Sequence, residues 1–153
     1  MSEMPSPLSP VALRSRALAF LSRREHTRQE LYEKLSSLGG SAEVINAILD
    51  EFAERHWQSD PRFAEAYVRQ ESRKGQGPLN IRQSLKQRGV DESLIAEVLA
   101  SEDWFEWARQ TRQRKFGEDI PTDRKEQARQ LRFLQYRGFS SDQCRKAMRK
   151  ADN

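Results

Sequence analysis

Apolar residues recur at three- and four-residue intervals along most of the chain, the period of an amphipathic helix. Strand-like alternation is nearly absent. Over this pattern lies a longer one. Gly39, Gly89 and Gly138 are 50 and 49 residues apart, and each carries the same apolar frame. Leu35, Leu85 and Leu134 stand four residues before the glycines. Ile45, Ile95 and Cys144 stand six after them, Ile48, Val98 and Ala147 nine after, and Leu49, Leu99 and Met148 ten after. A fixed period near 50 residues marks an array of supersecondary units.

Start and stop signals cut each unit into three helices. Ser9-Pro10 and Asp60-Pro61 put a capping side chain before a proline at the first helical position. Thr27 with Glu30, and Ser140 with Gln143, read as capping boxes. Ser41, Asp91 and Thr122 read as simple N-caps, and Gly77-Pro78 can open a helix too. The periodic glycines read as helix stops that need positive φ. The expected helices are 9–24, 27–38 and 41–56, then 60–74, 78–88 and 91–101, then 102–116, 122–137 and 140–151. The expected fold is all-α: an elongated array of three tandem three-helix repeats at 9–56, 57–101 and 102–153, after a flexible tail at 1–8. The third repeat departs from the others, with a longer loop around Gly117–Pro121. There Gln130 replaces the apolar residue seen at Leu31 and Ile81, and Leu131 is the expected substitute.

Composition supports small cores and much surface. The 153 residues are 36% hydrophobic and 33% charged. No apolar run reaches the ~18 residues of a membrane span, and the N-terminus lacks a signal-peptide pattern. One cysteine excludes an intramolecular disulfide, so a cytoplasmic protein is expected. Cys144 sits at a core position of the frame, and two histidines with one distant cysteine do not make a zinc site. No Walker loop, GxGxxG or HExxH pattern occurs, so no metal, cofactor or catalytic constellation is expected. Trp104 aligns with Phe63 and is expected to pack. Phe20, Phe52, Phe63, Tyr67, Phe105, Phe116, Phe133 and Phe139 are expected to staple the small cores, while the exposure of Tyr32 and Tyr136 is left open.

Charge changes the picture more. The net charge of +4 comes from −1 over 1–56, −1 over 57–103 and +6 over 104–153. An anionic partner is implied, either a polyanion or an acidic protein face. Arg23-Arg24, Arg73-Lys74 and Arg114-Lys115 fall in register at the ends of first helices. They either complement helix dipoles or form a shared binding ridge. The second helices add Arg82, Lys86 and Arg88, then Arg124, Lys125, Arg129, Arg132 and Arg137. Lys125, Arg129 and Arg132 are spaced four and three apart and share one helical face.

The segments Asp60-Pro61-Arg62-Phe63-Ala64, Tyr67, Ser72-Arg73-Lys74-Gly75, Gly77-Pro78, Ile81, Leu85 and Gly89 resemble the central signature of the RecX family. Phe133-Leu134-Gln135-Tyr136-Arg137-Gly138-Phe139 resembles that family's C-terminal motif, and the likeness covers about 10–150. One departure is visible. Where many members have Gly-Tyr/Phe-Leu-Asp-Asp, this chain has Arg55-His56-Trp57-Gln58-Ser59-Asp60. The resemblance implies a regulator that binds the RecA nucleoprotein filament and restrains assembly, ATP hydrolysis, strand exchange and coprotease action. The partner set is then RecA with single- or double-stranded DNA, weakly or within the filament, and no membrane; a monomer is expected. The competing reading is a RecA-independent DNA-binding protein of tandem helix-turn-helix-like units, and net −1 in each of the first two repeats argues against it. An enzyme has no constellation to nominate.

Overall fold

The computed structural model describes residues 8–150. The tail expected at 1–8 therefore lies outside the described residues, apart from Leu8. Among the described residues there are nine α-helices and no strand: α1 Pro10–Arg23, α2 Arg28–Ser37, α3 Ala42–Glu54, α4 Asp60–Arg73, α5 Pro78–Gln87, α6 Glu92–Ala100, α7 Trp104–Phe116, α8 Arg124–Tyr136 and α9 Ser141–Ala147. None of them is long and apolar enough to cross a membrane. Two compact units result, one of residues 8–63 with Arg88–Val90, the other of Ala64–Gln87 with residues 91–150.

The glycine stops form as expected. Gly39, Gly89 and Gly138 all have positive φ. After α2, Gly39 N donates to Ser36 O at 3.0 Å and Gly40 N to Leu35 O at 3.1 Å. After α8, Gly138 N donates to Gln135 O at 3.0 Å and Phe139 N to Leu134 O at 3.2 Å. This pair of bonds satisfies carbonyls that a helix end otherwise leaves open. Both capping boxes form, at Thr27/Glu30 and Ser140/Gln143.

Two caps differ from expectation by one residue. Ser59, not Asp60, caps α4: its Oγ accepts from Arg62 N at 3.2 Å. Asp60 instead accepts from Arg28 N at 2.9 Å and from Gln58 Nε2 at 2.8 Å, so its carboxylate sits at the start of α2. Asp123, not Thr122, caps α8. Each pair is two good capping residues in sequence, and propensity alone does not separate them.

In the first unit α1, α2 and α3 pack on one another around Leu13, Ala17, Leu31, Leu35, Ile45, Ile48, Leu49 and Phe52. The segment after α5 belongs to this unit. Thr27 Oγ1 donates to Arg88 O at 2.7 Å, and a Cβ on Gly89 would meet the Gln29 side chain at 2.6 Å or less. Trp57 is exposed, tilted against Phe52 at 5.4 Å, with the guanidinium of Arg55 4.9 Å from its ring centroid.

In the second unit α5 packs on α6, and α7, α8 and α9 pack together. The frame positions Leu85, Ile95, Val98, Leu134, Cys144 and Ala147 are buried, while Leu99 and Met148 are half-buried. Cys144 Sγ lies 3.6 Å from Phe139 O, and burial pushes its thiol up, as befits a core cysteine. Trp104 is buried, its Nε1 donating to Leu99 O at 2.8 Å. Phe105 does not staple a core; it is 41% exposed, with Lys146 4.6 Å from its ring centroid.

The expected substitution of Leu131 for Gln130 does not occur. Gln130 itself takes the core position, 4% exposed, and Leu131 is half-buried. The reason is Arg112, a fully buried arginine. Its Nη1 donates to Gln130 Oε1 at 3.3 Å and to Asp119 O at 3.4 Å, its Nη2 to Glu118 O at 3.2 Å, and its Nε to Ala147 O at 2.9 Å. A buried guanidinium needs acceptors, and Gln130 is one of them.

Candidate functional site

Two helix ends meet in the second unit. Gly75, at φ +91°, turns the chain out of α4. Gly77 N then donates to Arg137 O at 2.7 Å, Leu79 N to Gly138 O at 2.9 Å, and Asn80 Nδ2 to Tyr136 O at 3.1 Å. The final carbonyls of α8 thus find donors at the start of α5. The last carbonyls of α4 find guanidinium groups: Arg73 O accepts from Arg114 Nη1 at 2.9 Å, and Lys74 O from Arg137 Nη1 at 3.3 Å. The Ser72–Asn80 stretch and the Phe133–Phe139 stretch, joined by hydrogen bonds between residues 56 to 63 apart in sequence, are two sides of one joint.

Cations ring this joint. Lys74, Arg114, Lys115 and Arg137 line a cavity of about 180 Å³ with Gly75, Thr111 and Phe133. Phe116 and Phe133 meet edge-on at 5.2 Å. Lys115 Nζ lies 5.9 Å and the Arg137 guanidinium 5.0 Å from the Phe133 centroid, and the Arg129 guanidinium lies 5.0 Å from that of Phe116. Such contacts hold the heads in place while leaving charge available.

Along α8, Lys125, Arg129 and Arg132 line a second, shallow cavity of about 360 Å³ with Asp123, Glu126 and Ala128. Arg129 grips Glu126 with two bonds of 2.9 Å, which holds that carboxyl below its ordinary range. Arg124, Lys125 and Arg132 are exposed and make no ion pair among the described residues. Arg124 and Lys125 stand in the first turn of α8, where the helix dipole disfavours cations. Dipole complementarity therefore does not account for them.

The other expected residues divide by their partners. Arg82 and Lys86 both reach Glu92, at 3.1 and 3.4 Å. Arg88 belongs to the first unit, 3.8 Å from Glu30. Arg73 is exposed, and Lys74 approaches Glu71 at 3.5 Å. In the first unit Arg24 is tied to Glu30 at 3.1 Å and to Glu25 O at 2.8 Å. Two side chains outside the expected set stand out. Tyr136 is 88% exposed at the end of the α8 stripe, and Arg112 is buried within the same three-helix group. The stripe spacing could have pointed to Tyr136; nothing local marks Arg112.

Family models described as the first, second and third three-helix domains of RecX match residues 14–52, 59–99 and 101–148. The chain is 47% identical over 143 residues to the regulatory protein RecX of Halorhodospira halophila, covering 92% of this chain and 89% of that protein. It is 42% identical over 145 residues to the regulatory protein RecX of Acinetobacter baylyi, covering 95% and 91%. The crystal structure of RecX from Lactobacillus salivarius superposes with a TM-score of 0.79 at 24% identity, covering 91% of this chain and 94% of that one. That last likeness concerns the fold alone.

Proposed function

The chain belongs to the RecX family, and on that premise we propose that it regulates the RecA recombinase by binding RecA nucleoprotein filaments. It acts in the cytoplasm as a monomer, without catalysis, and restrains filament growth, ATP hydrolysis, strand exchange and coprotease action. The observation that carries this reading is the family match across all three three-helix segments, from residue 14 to 148. The exposed cations of the second unit supply the contact chemistry. Lys115 and the α8 residues Arg124, Lys125 and Arg132 meet phosphate or an acidic protein face. Arg114 and Arg137 hold helix ends and shape the site.

The test is DNA-dependent ATP hydrolysis by RecA, with cosedimentation of filaments on DNA. Wild-type protein is expected to sediment with filaments and slow hydrolysis. Reversing Lys115, Arg124, Lys125 and Arg132 to glutamate is expected to raise the inhibitory concentration about ten-fold or more, because like charges brought together cost several kcal/mol. Unchanged inhibition by that variant would remove the basic face from the mechanism. Absence of any effect of wild type on RecA would overturn the regulatory reading itself.

A further inference from the structure

Tyr136 continues the α8 stripe. Lys125, Arg129, Arg132 and Tyr136 follow intervals of four, three and four, so they rise along one face over ~16 Å at ~1.5 Å per residue. Buried tyrosine is ordinary; a tyrosine 88% exposed is not explained by packing. Its backbone is nonetheless fixed, because Tyr136 O accepts from Asn80 and the neighbouring Arg137 O accepts from Gly77 N. An aromatic ring carried on fixed backbone therefore stands free in solvent at the end of a row of cations, two of which, Lys125 and Arg132, have no carboxylate partner among the described residues.

We propose that the Lys125–Arg129–Arg132–Tyr136 face of α8 binds single-stranded nucleic acid, with the cations on successive phosphates and an unpaired base stacked on Tyr136. Cations that track a backbone, joined to an aromatic platform, bind single strands without sequence readout, since every base offers a π-face. A duplex hides its base faces and would leave Tyr136 unused. An acidic protein surface would use the cations but offers no flat base to stack on the ring, and an acidic peptide tests it below. The phenol hydroxyl is not required, only the ring. The proposal deepens the regulatory reading and rests on it for its setting: the unpaired DNA strand within or beside a filament.

The experiment is binding of the full chain, without RecA, to a fluorescein-labelled oligothymidylate and to a strand of equal length built from abasic phosphates. Tyr136→Ala is expected to weaken oligothymidylate binding about 5- to 150-fold, the range for loss of one stacked base, and to leave abasic binding unchanged. Tyr136→Phe is expected to bind as wild type. Lys125→Ala with Arg132→Ala is expected to weaken both strands and lower the salt slope by about 1.4, at ~0.7 per phosphate contact on single strands. The exposure of Tyr136 means that its replacement leaves the fold intact, which circular dichroism checks. Equal binding of oligothymidylate by wild type and Tyr136→Ala overturns the proposal, as does an equal loss on both strands. Tighter binding of an oligoglutamate peptide than of oligothymidylate also overturns it and assigns the face to an acidic protein. RecA inhibition by wild type, measured separately, distinguishes these failures from failure of the regulatory reading.

Discussion

Gly77 is a glycine for want of room. A Cβ there would lie 2.5 Å from Phe139 N and as close to the Gly138 carbonyl, both backbone atoms that cannot rotate aside. Its own N–H is meanwhile occupied by Arg137 O at 2.7 Å. Gly77→Ala must then separate the α5 start from the α8 end, and the three hydrogen bonds across the joint lengthen together. Overpacking of this kind costs about 1–3 kcal/mol. The expected outcome is a lower thermal midpoint for Gly77→Ala, with faster amide exchange at Leu79. Gly117→Ala is the control for glycine chemistry as such: it has positive φ but nothing within 4 Å of the added atom, so it carries backbone strain without loosening the joint. Equal exchange at Leu79 in Gly77→Ala and wild type would show that the joint accommodates the methyl.

Helices α7, α8 and α9 enclose a polar centre beside their apolar core of Trp104, Ala108, Leu134, Cys144 and Ala147. Arg112 ties α7 to the end of α9 through Ala147 O and to the loop before α8 through Glu118 O and Asp119 O, and Gln130 completes its shell from α8. Gln130 Nε2 in turn donates to Glu126 Oε1 at 3.1 Å. Arg112→Met keeps much of the volume and removes every donor. Each buried acceptor left unpaired costs about 1–3 kcal/mol. Amide exchange is therefore expected to accelerate in α9 and in the 117–121 loop, and to stay unchanged in α1–α3. Gln130→Leu restores the apolar pattern of Leu31 and Ile81, yet is expected to destabilise, because Arg112 loses an acceptor in burial. Greater stability of Gln130→Leu would show that the polar centre is dispensable. The same region marks how far the sequence was legible. The helices, the glycine stops and the buried frame follow from local period and cap chemistry, and these emerged to within a few residues. Gln130 looked like a flaw because its partner lies 18 residues away, and no local pattern pairs them. The cations of the candidate site were legible as charge, but their roles were not. Arg114 and Arg124 look alike in sequence, and only the carbonyl of Arg73 distinguishes a guanidinium that holds a helix end from one that faces solvent.

Acid acts unevenly on the molecule because the two units hold different titrating groups. In the first unit His26 is buried; its Nδ1 lies 3.0 Å from Arg24 O and its Nε2 2.8 Å from Lys34 Nζ. Lys34 can only donate, so the neutral ring carries its proton on Nδ1, donates it to Arg24 O and accepts at Nε2. Burial pushes the imidazole below its ordinary value, helped by the charges of Arg24 and Lys34, against the opposing backbone bond to Arg24 O and the charge of Glu30. The unfolded chain then binds a proton more readily than the folded one. Stability from this group is complete above pH ~6.5 and declines as pH falls below that value, until the folded imidazole itself titrates. Glu30 follows at lower pH. Burial raises its carboxyl, but the Arg24 hydrogen bond, the Thr27 N–H and the charges of Arg24 and His26 outweigh this and hold it below its ordinary range. Its contribution is present above pH ~4.5 and lost as pH falls further. In the second unit Glu106 is held near 2 by its hydrogen bonds from Arg109 and Gln110, so it does not titrate in the window where His26 does. Between pH 7 and 5, peptides from α1 and α2 are therefore expected to lose exchange protection, after correction for intrinsic rates, while those from α7 and α8 keep it. His26→Gln removes the titrating group and should flatten the response of the first unit. Parallel loss in both units, or an undiminished response in His26→Gln, would place the acid sensitivity elsewhere than in the His26–Lys34 contact.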